Sequence, residues 1–134
     1  IVLNKRGGAL LEFIKPARLG IAAILGDGKQ IVSWIHQQDL NAIVLFAITN
    51  KQIEGVYNAV SPEPISNKAL TLYIAKHYHS WHISINVPTL VLNVLLGEMS
   101  VEVLKSANVS SKKLEKAQYS FQFPTISSAL KQLL

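Results

Sequence analysis

Residues 31–49 read IVSWIHQQDLNAIVLFAIT, and they join a predicted strand directly to a predicted helix. Ile31–Ile35 alternates apolar residues around Ser33, a pattern typical of a strand. Asp39 falls in the first turn of the helix that starts at Gln37, where the helix dipole stabilises a carboxylate. Apolar residues then recur with the spacing of one helical face, namely at Leu40, Ile43, Val44, Ala47 and Ile48. The stretch therefore predicts a strand–helix unit of an α/β protein.

A second strand–helix unit is predicted from residues 55–66, GVYNAVSPEPIS. Val56–Val60 is rich in β-branched and aromatic residues, so we predict a short strand there. The two prolines that follow cannot donate to a sheet ladder, and they should end this strand. Ser66 is placed to cap a helix over 67–79. Because strands and helices alternate in this half of the chain, we expect a parallel α/β sheet.

The other segments of the chain are shorter. We predict a helix from Ala9 that stops before Pro16, because a proline disfavours helical conformation in the residue before it. Residues 19–30 are predicted to form a loop with a tight turn at Gly26–Gly28. The last 48 residues are expected to be mostly helical, with helices over 89–96 (ended by Gly97), near 101–105, over 111–117 and after Thr125.

The bulk composition limits the possible classes of protein. The chain has 134 residues, which suits one domain, and 49% of them are hydrophobic. No apolar run reaches the ~20 residues of a membrane-spanning helix, so we expect an apolar face that a partner covers. The net charge of +5 comes from scattered lysines rather than a basic stripe, which argues against nucleic-acid binding. The absence of cysteine fits a cytoplasmic location.

No catalytic centre or metal site is predicted from the sequence alone. Gly26–Gly28 is predicted to lack the strand before it and the helix after it that a phosphate-binding glycine loop requires, so a plain turn is favoured. The histidines of KHYHSWH (76–82) have no carboxylate at a suitable spacing to complete a metal site. None of the four tyrosines has a lysine four residues later, which excludes a Tyr-x-x-x-Lys base.

His36 is a candidate for binding a ligand on local grounds. It follows the carboxyl end of a predicted strand and precedes a helix, and ligands of α/β sheets bind at that edge. Trp34 and Ser33 beside it could offer a stacking face and a hydroxyl group. Packing inside the protein is the alternative role for each of the three.

Four stretches together resemble a known family: SWIHQQDL (33–40), GVYNAVSPEPISNKAL (55–70), VPTLVLNVLLGEMS (87–100) and the C-terminal residues 110–134. They are similar to the C-terminal half of bacterial NAD-dependent epimerase/dehydratase-like proteins, which are extended short-chain dehydrogenases/reductases. Members are often labelled nucleoside-diphosphate-sugar epimerases, and some carry the label of cell-division inhibitor. The resemblance implies that 1–86 is the C-terminal part of a Rossmann-like core and that 87–134 is a helical C-terminal domain.

The resemblance also implies a function. The chain would begin downstream of the cofactor loop and the Tyr-x-x-x-Lys base, so that it lines the substrate cleft and does not catalyse alone. NAD or NADP would bind to the missing N-terminal half, and none to this chain. The cleft residues are expected to be Lys29, Gln30, Ser33, Trp34 and His36.

Two departures from the family pattern argue against a nucleotide-sugar substrate. Relatives that bind UDP-sugars often have an arginine where this chain has Val32 and Ser33, and members tend to have one at Asn108. Without these arginines a bidentate phosphate clamp is lost, and Lys29 is a weak substitute. The alternative function is a non-enzymatic interaction or dimerisation module.

Overall fold

A computed structural model describes residues 1–96 and 104–134. Each strand is short, and most are followed by a helix. In chain order the elements are β1 (Val2–Leu3), α1 (Ala9–Ala17), β2 (Ile21–Leu25), β3 (Ile31–Val32), β4 (Ile35–His36), α2 (Gln37–Thr49), β5 (Ile65–Ser66), α3 (Asn67–Tyr78), β6 (Ile83–Val87), α4 (Thr89–Leu96), α5 (Lys112–Lys116) and α6 (Ile126–Leu133).

The described strands pair two by two. β1 lies parallel to β4, and β2 lies parallel to β6 over five residue pairs. β3 and β5 form a short antiparallel pair. The predicted α/β class with parallel strands is confirmed.

The main hydrophobic core lies between α1, α3, α6 and the short strands. Trp34 is completely buried in it, and α6 contributes residues from the far end of the chain. The C-terminal helix thus packs into the same core as the first strand. The members of this core are Leu3, Leu10, Ile14, Ala17, Ala22, Trp34, Leu70, Ile74, Ala75, Ile126, Ala129, Leu130 and Leu133.

Two predictions about residues 19–35 are wrong. The segment 19–30, predicted as a loop, contains β2, which leads directly into the turn at Gly26–Gly28. Its alanines are weak strand formers, and it is stabilised by pairing with β6, about sixty residues later. The single strand predicted over Ile31–Ile35 is divided into β3 and β4, because the two halves pair with different strands: β3 with β5, and β4 with β1.

The strand predicted over Val56–Val60 is also absent from the described structure. These residues form no ladder, because no strand of the described chain lies beside them. Instead, the main-chain carbonyl of Val56 accepts a hydrogen bond from Lys113, and the N–H of Ser61 donates to Trp34. Strand-like composition was not sufficient here, because a strand needs a partner.

Two helix caps agree with the sequence prediction, whereas the end of one helix does not. The hydroxyl of Ser66 caps α3 by accepting from the N–H of Ala69, and Thr125 caps α6 in a capping box. α1 was predicted to stop before Pro16 but continues to Ala17, since a proline in the last turn removes a single hydrogen bond. The predicted end at Gly97, and most of the helix near 101–105, lie outside the described residues.

The predicted apolar face of α2 is only partly buried. Ile43 is buried and Leu40 partly so, whereas Val44 and Ile48 are exposed. In the part of the chain that the structure covers, no helix has the length and apolar character needed to cross a membrane.

Candidate functional site

All five predicted cleft residues lie in one segment, residues 26–36, between β2 and α2. Gly28 has a φ of +71°, and an added Cβ would lie 2.5 Å from Cγ2 of Ile24. Only glycine fits there without strain. Asn67, at the start of α3, accepts from the N–H of Leu25 through its side chain and donates its own N–H to the carbonyl of Gln30. The segment is therefore held firmly against α3.

Lys29 and Gln30 point in different directions. The Lys29 side chain is 87% exposed, and its ammonium group lies 3.6 Å from a carboxylate oxygen of Asp27. The N–H of Lys29 donates to the same carboxylate, and this hydrogen bond is the main reason why the pKa of Asp27 is lowered. Gln30 is buried, and its amide donates to the carbonyl of Leu25 at 3.1 Å. Of these two residues, only Lys29 has a charged side chain, and that side chain is exposed to solvent.

Ser33 connects the segment to residues near 107. Its hydroxyl donates to the carbonyl of Ala107 at 2.6 Å and accepts from the N–H of Val109 at 2.9 Å. Two residues earlier, the N–H of Ile31 donates to the Ser106 hydroxyl at 3.0 Å, and the carbonyl of Ile31 accepts from the N–H of Ala107 at 3.0 Å. With both its donor and an acceptor position occupied, the Ser33 hydroxyl acts as a structural bridge.

Trp34 and His36 are buried. The indole N–H of Trp34 donates to the carbonyl of Glu63 at 2.7 Å, and the ring is fully enclosed in the main core. Nδ1 of His36 accepts from the N–H of Gln38 and so caps α2, and Nε2 lies 3.0 Å from the side-chain oxygen of Gln132. These partners assign the neutral tautomer with its proton on Nε2. Both side chains shape the segment from inside.

Asp39 has a role that the helix-dipole argument did not anticipate. Its carboxylate is fully buried and accepts from the N–H groups of Gln122 at 2.8 Å and Phe123 at 2.9 Å. It also accepts from the Tyr119 hydroxyl at 3.1 Å. Burial, together with the negative charge of Asp39 and this hydrogen bond, raises the pKa of Tyr119 to about 12. The carboxylate thus holds residues 119–123 against α2. This role depends on contacts between residues at least eighty positions apart, which the sequence did not indicate.

The sheet formed by β2 and β6 has one apolar face that is partly exposed. The parallel register places Ile21 beside Ile83 and Ala23 beside Ile85, and alternate residues of a strand share a face. Ile83 and Ile85 are about half exposed. The other face carries Ala22, which is buried in the core.

Two histidines of 76–82, His77 and His79, make structural contacts. A ring nitrogen of His79 contacts the carbonyl of Arg18 at 2.9 Å, and the His77 ring packs edge-on against Tyr78. Among residues 1–96 and 104–134, no three histidine, aspartate or glutamate side chains group in a way that could hold a metal ion.

Comparison with known proteins gives matches in sequence and in structure. Residues 87–133 match a family model described as a domain of unknown function, DUF1731. Over all 134 residues the chain is 33% identical to Epimerase family protein SAR0825 of Staphylococcus aureus (strain MRSA252). It is also 33% identical to Epimerase family protein SERP0438 of Staphylococcus epidermidis. The chain spans less than half the length of these relatives, 44% of each.

Two solved structures are similar to nearly the whole chain. The human epimerase family protein SDR39U1 (isoform 2), solved with NADPH, superposes with a TM-score of 0.91 and 28% identity over 99% of this chain and 45% of its own. A nucleoside-diphosphate sugar epimerase from Corynebacterium glutamicum gives a TM-score of 0.73 and 28% identity over 100% of this chain and 24% of its own. The chain therefore corresponds to the C-terminal part of an epimerase family protein.

Proposed function

We propose that this chain is the substrate-side part of an NAD(P)-dependent epimerase- or reductase-like protein. The observation that carries the proposal is the whole-chain superposition, at a TM-score of 0.91, on a human relative solved with NADPH. The match covers 45% of that relative's length, which leaves the larger part of such a protein to bind the cofactor. Hydride transfer would then be carried out by residues outside this chain.

The candidate cleft is formed by the apolar face of the β2–β6 sheet and by residues 26–36. Lys29 is the member of the predicted set that we assign to direct contact with substrate, because its ammonium group is exposed and pairs only loosely with Asp27. We assign Gln30, Ser33 and His36, together with the buried Trp34, to holding this wall in shape. A small substrate with an anionic or polar group suits such a wall.

The partner proposed for this chain is the N-terminal part of the same kind of protein. On α2, Val44, Leu45 and Ile48 are 53%, 62% and 75% exposed. A contiguous apolar patch of this kind marks an interface. In addition, β1 pairs on one side only with β4 among the described strands, which leaves an edge for a further strand. We infer that the N-terminal part covers both features and that the assembled protein is cytoplasmic.

Fragment complementation tests the proposal. This chain and a separately produced N-terminal part should form a one-to-one complex that binds NADPH, while this chain alone should not change NADPH fluorescence. The Lys29→Ala variant should assemble and bind NADPH normally but lower turnover, whereas Lys76→Ala, an exposed lysine on α3, should not. NADPH binding by this chain alone, or failure of the two parts to associate, would contradict the proposal.

A second candidate function is a non-enzymatic module that dimerises or binds a partner protein. The observation that favours it is the exposure of α4, where Leu90 and Val94 are 77% and 81% exposed, and of Trp81 before β6. Sedimentation equilibrium distinguishes the two candidates. A tight dimer of this chain that persists after the N-terminal part is added would favour the interaction module over the proposed part of an enzyme.

A further inference from the structure

A cavity of about 250 Å³ lies between the end of α2 and the short helix α5. None of its lining residues belongs to the segment 26–36, so it is separate from the candidate cleft. Two lysines, two amide side chains and one tyrosine provide its polar lining. The main lining residues are Asn50, Gln52, Ile53, Tyr57, Lys113 and Lys116.

Lys113 is held in place at this cavity. Its ammonium group donates to the carbonyl of Val56 at 2.9 Å and to that of Glu54 at 3.4 Å. The same group lies 4.1 Å from the centre of the Tyr57 ring, within the range of a cation–π interaction. An ammonium group has three N–H donors, so one N–H of Lys113 remains after the other two have donated to these carbonyls. The charge is therefore positioned before any ligand arrives.

Lys116 adds a second positive charge three residues later on α5, at a spacing that places two side chains on the same side of a helix. In the described chain the ion pairs are Lys15–Glu12 and Lys29–Asp27, and neither involves α5. Like charges at this helical spacing repel each other, and a bound anion would reduce the repulsion.

The neutral groups of the cavity also favour an anion. The side-chain oxygen of Asn50 accepts from the N–H of Gln52, which leaves the Asn50 amide NH₂ as a donor. No carboxylate is among the residues that line the cavity. The cavity is thus lined by two lysines and an amide donor, with no carboxylate among its lining residues.

We propose that this cavity binds a phosphate group, either as free phosphate or as the monoester end of a small molecule. A phosphate presents several acceptor oxygens and about two negative charges at neutral pH, which matches two lysines and an amide donor. The small volume and the fixed Lys113 favour a small ligand over a macromolecule. The site does not depend on the proposed hydride chemistry, and either can fail alone.

Isothermal titration of this chain with inorganic phosphate and with glycerol phosphate, at constant ionic strength, tests the site. We expect saturable one-to-one binding and, for Lys116→Gln, a roughly tenfold weaker affinity, because a charge-assisted hydrogen bond is lost. Lys112→Gln is the matched control: it removes the same charge from the same helix, but Lys112 does not line the cavity. Tighter binding of glycerol phosphate would identify the monoester as the ligand, and tighter binding of inorganic phosphate would identify the free ion.

Two results would overturn the proposal. One is the absence of saturable binding of either probe at low salt. The other is an equal loss of affinity in Lys116→Gln and Lys112→Gln, which would show a general charge effect instead of a site. Urea unfolding of both variants confirms that they fold. Neither substitution removes a described hydrogen bond, because none of the described hydrogen bonds involves the ammonium group of Lys112 or Lys116.

Discussion

The Asp39→Asn variant tests the connection between α2 and the segment before α6. The substitution replaces one acceptor oxygen by an NH₂ donor, which then faces either the N–H of Phe123 or the donors of Gln122 and Tyr119. Hydrogen bonds to a charged group contribute ~1.5–3 kcal/mol each, and a buried donor left without an acceptor adds a penalty of ~1–3 kcal/mol. We therefore expect the free energy of unfolding to fall by about 2–4 kcal/mol.

Urea unfolding followed by tryptophan fluorescence measures this loss, since Trp34 is buried in the folded chain. Asp27→Asn is the matched control, because the Asp27 side chain is exposed and its substitution should change the free energy of unfolding much less. In addition, the raised pKa of Tyr119 should fall towards its usual value in Asp39→Asn, as followed by ultraviolet absorbance. Equal stability of the two variants would refute the role of the Asp39 carboxylate.

Three further predictions concern stability. The pKa of Tyr119 is raised to about 12 in the folded chain, so the protonated hydroxyl should contribute fully to the free energy of unfolding below pH ~10. This contribution should be lost as the pH rises through 12, and urea unfolding of Tyr119→Phe should not show the loss. Gly28→Ala should lower the free energy of unfolding by at least about 2 kcal/mol through its positive φ and the contact with Ile24, whereas Gly7→Ala, which meets nothing within 4 Å, should not. Ser66→Ala should cost about 1 kcal/mol in the same assay by removing the cap of α3.

Features that depend on neighbouring residues were predictable from the sequence. The starts of α2 and α3 follow from apolar spacing and, at Ser66, from a capping residue, and the structure confirms both starts. The turn at Gly26–Gly28 follows from its glycines. Each of these signals acts within a few residues, so that a single sequence contains the necessary information.

Features that depend on distant residues were missed. β2 exists because it pairs with β6, and its alanine-rich sequence gives no local signal. Conversely, Val56–Val60 has the composition of a strand but finds no partner in the described chain. The contacts of Asp39 with Gln122 and of His36 with Gln132 join residues more than eighty positions apart in the sequence. For Asp39 the sequence indicated a helix-dipole position and gave no sign of its partners.

The candidate cleft shows the same division. The predicted cleft residues lie in one segment because they are near neighbours in the sequence, within residues 29–36. The sequence could not show that Lys29 faces solvent while Trp34 is fully buried, because the burial of a side chain depends on which distant residues pack against it. The assignment of substrate contact to Lys29 stays a prediction for the variant assay.

The most direct test of the central proposal is the mass of the native polypeptide in its source cells, detected with an antibody against this chain. If 14.7 kDa is 44% of the whole, as in the staphylococcal relatives, the expected mass is about 33 kDa. Such a polypeptide would have room for the cofactor-binding part that the proposed hydride chemistry needs. A mass near 14.7 kDa would mean that the cell uses this chain alone, and it would contradict the proposed function in favour of the interaction module.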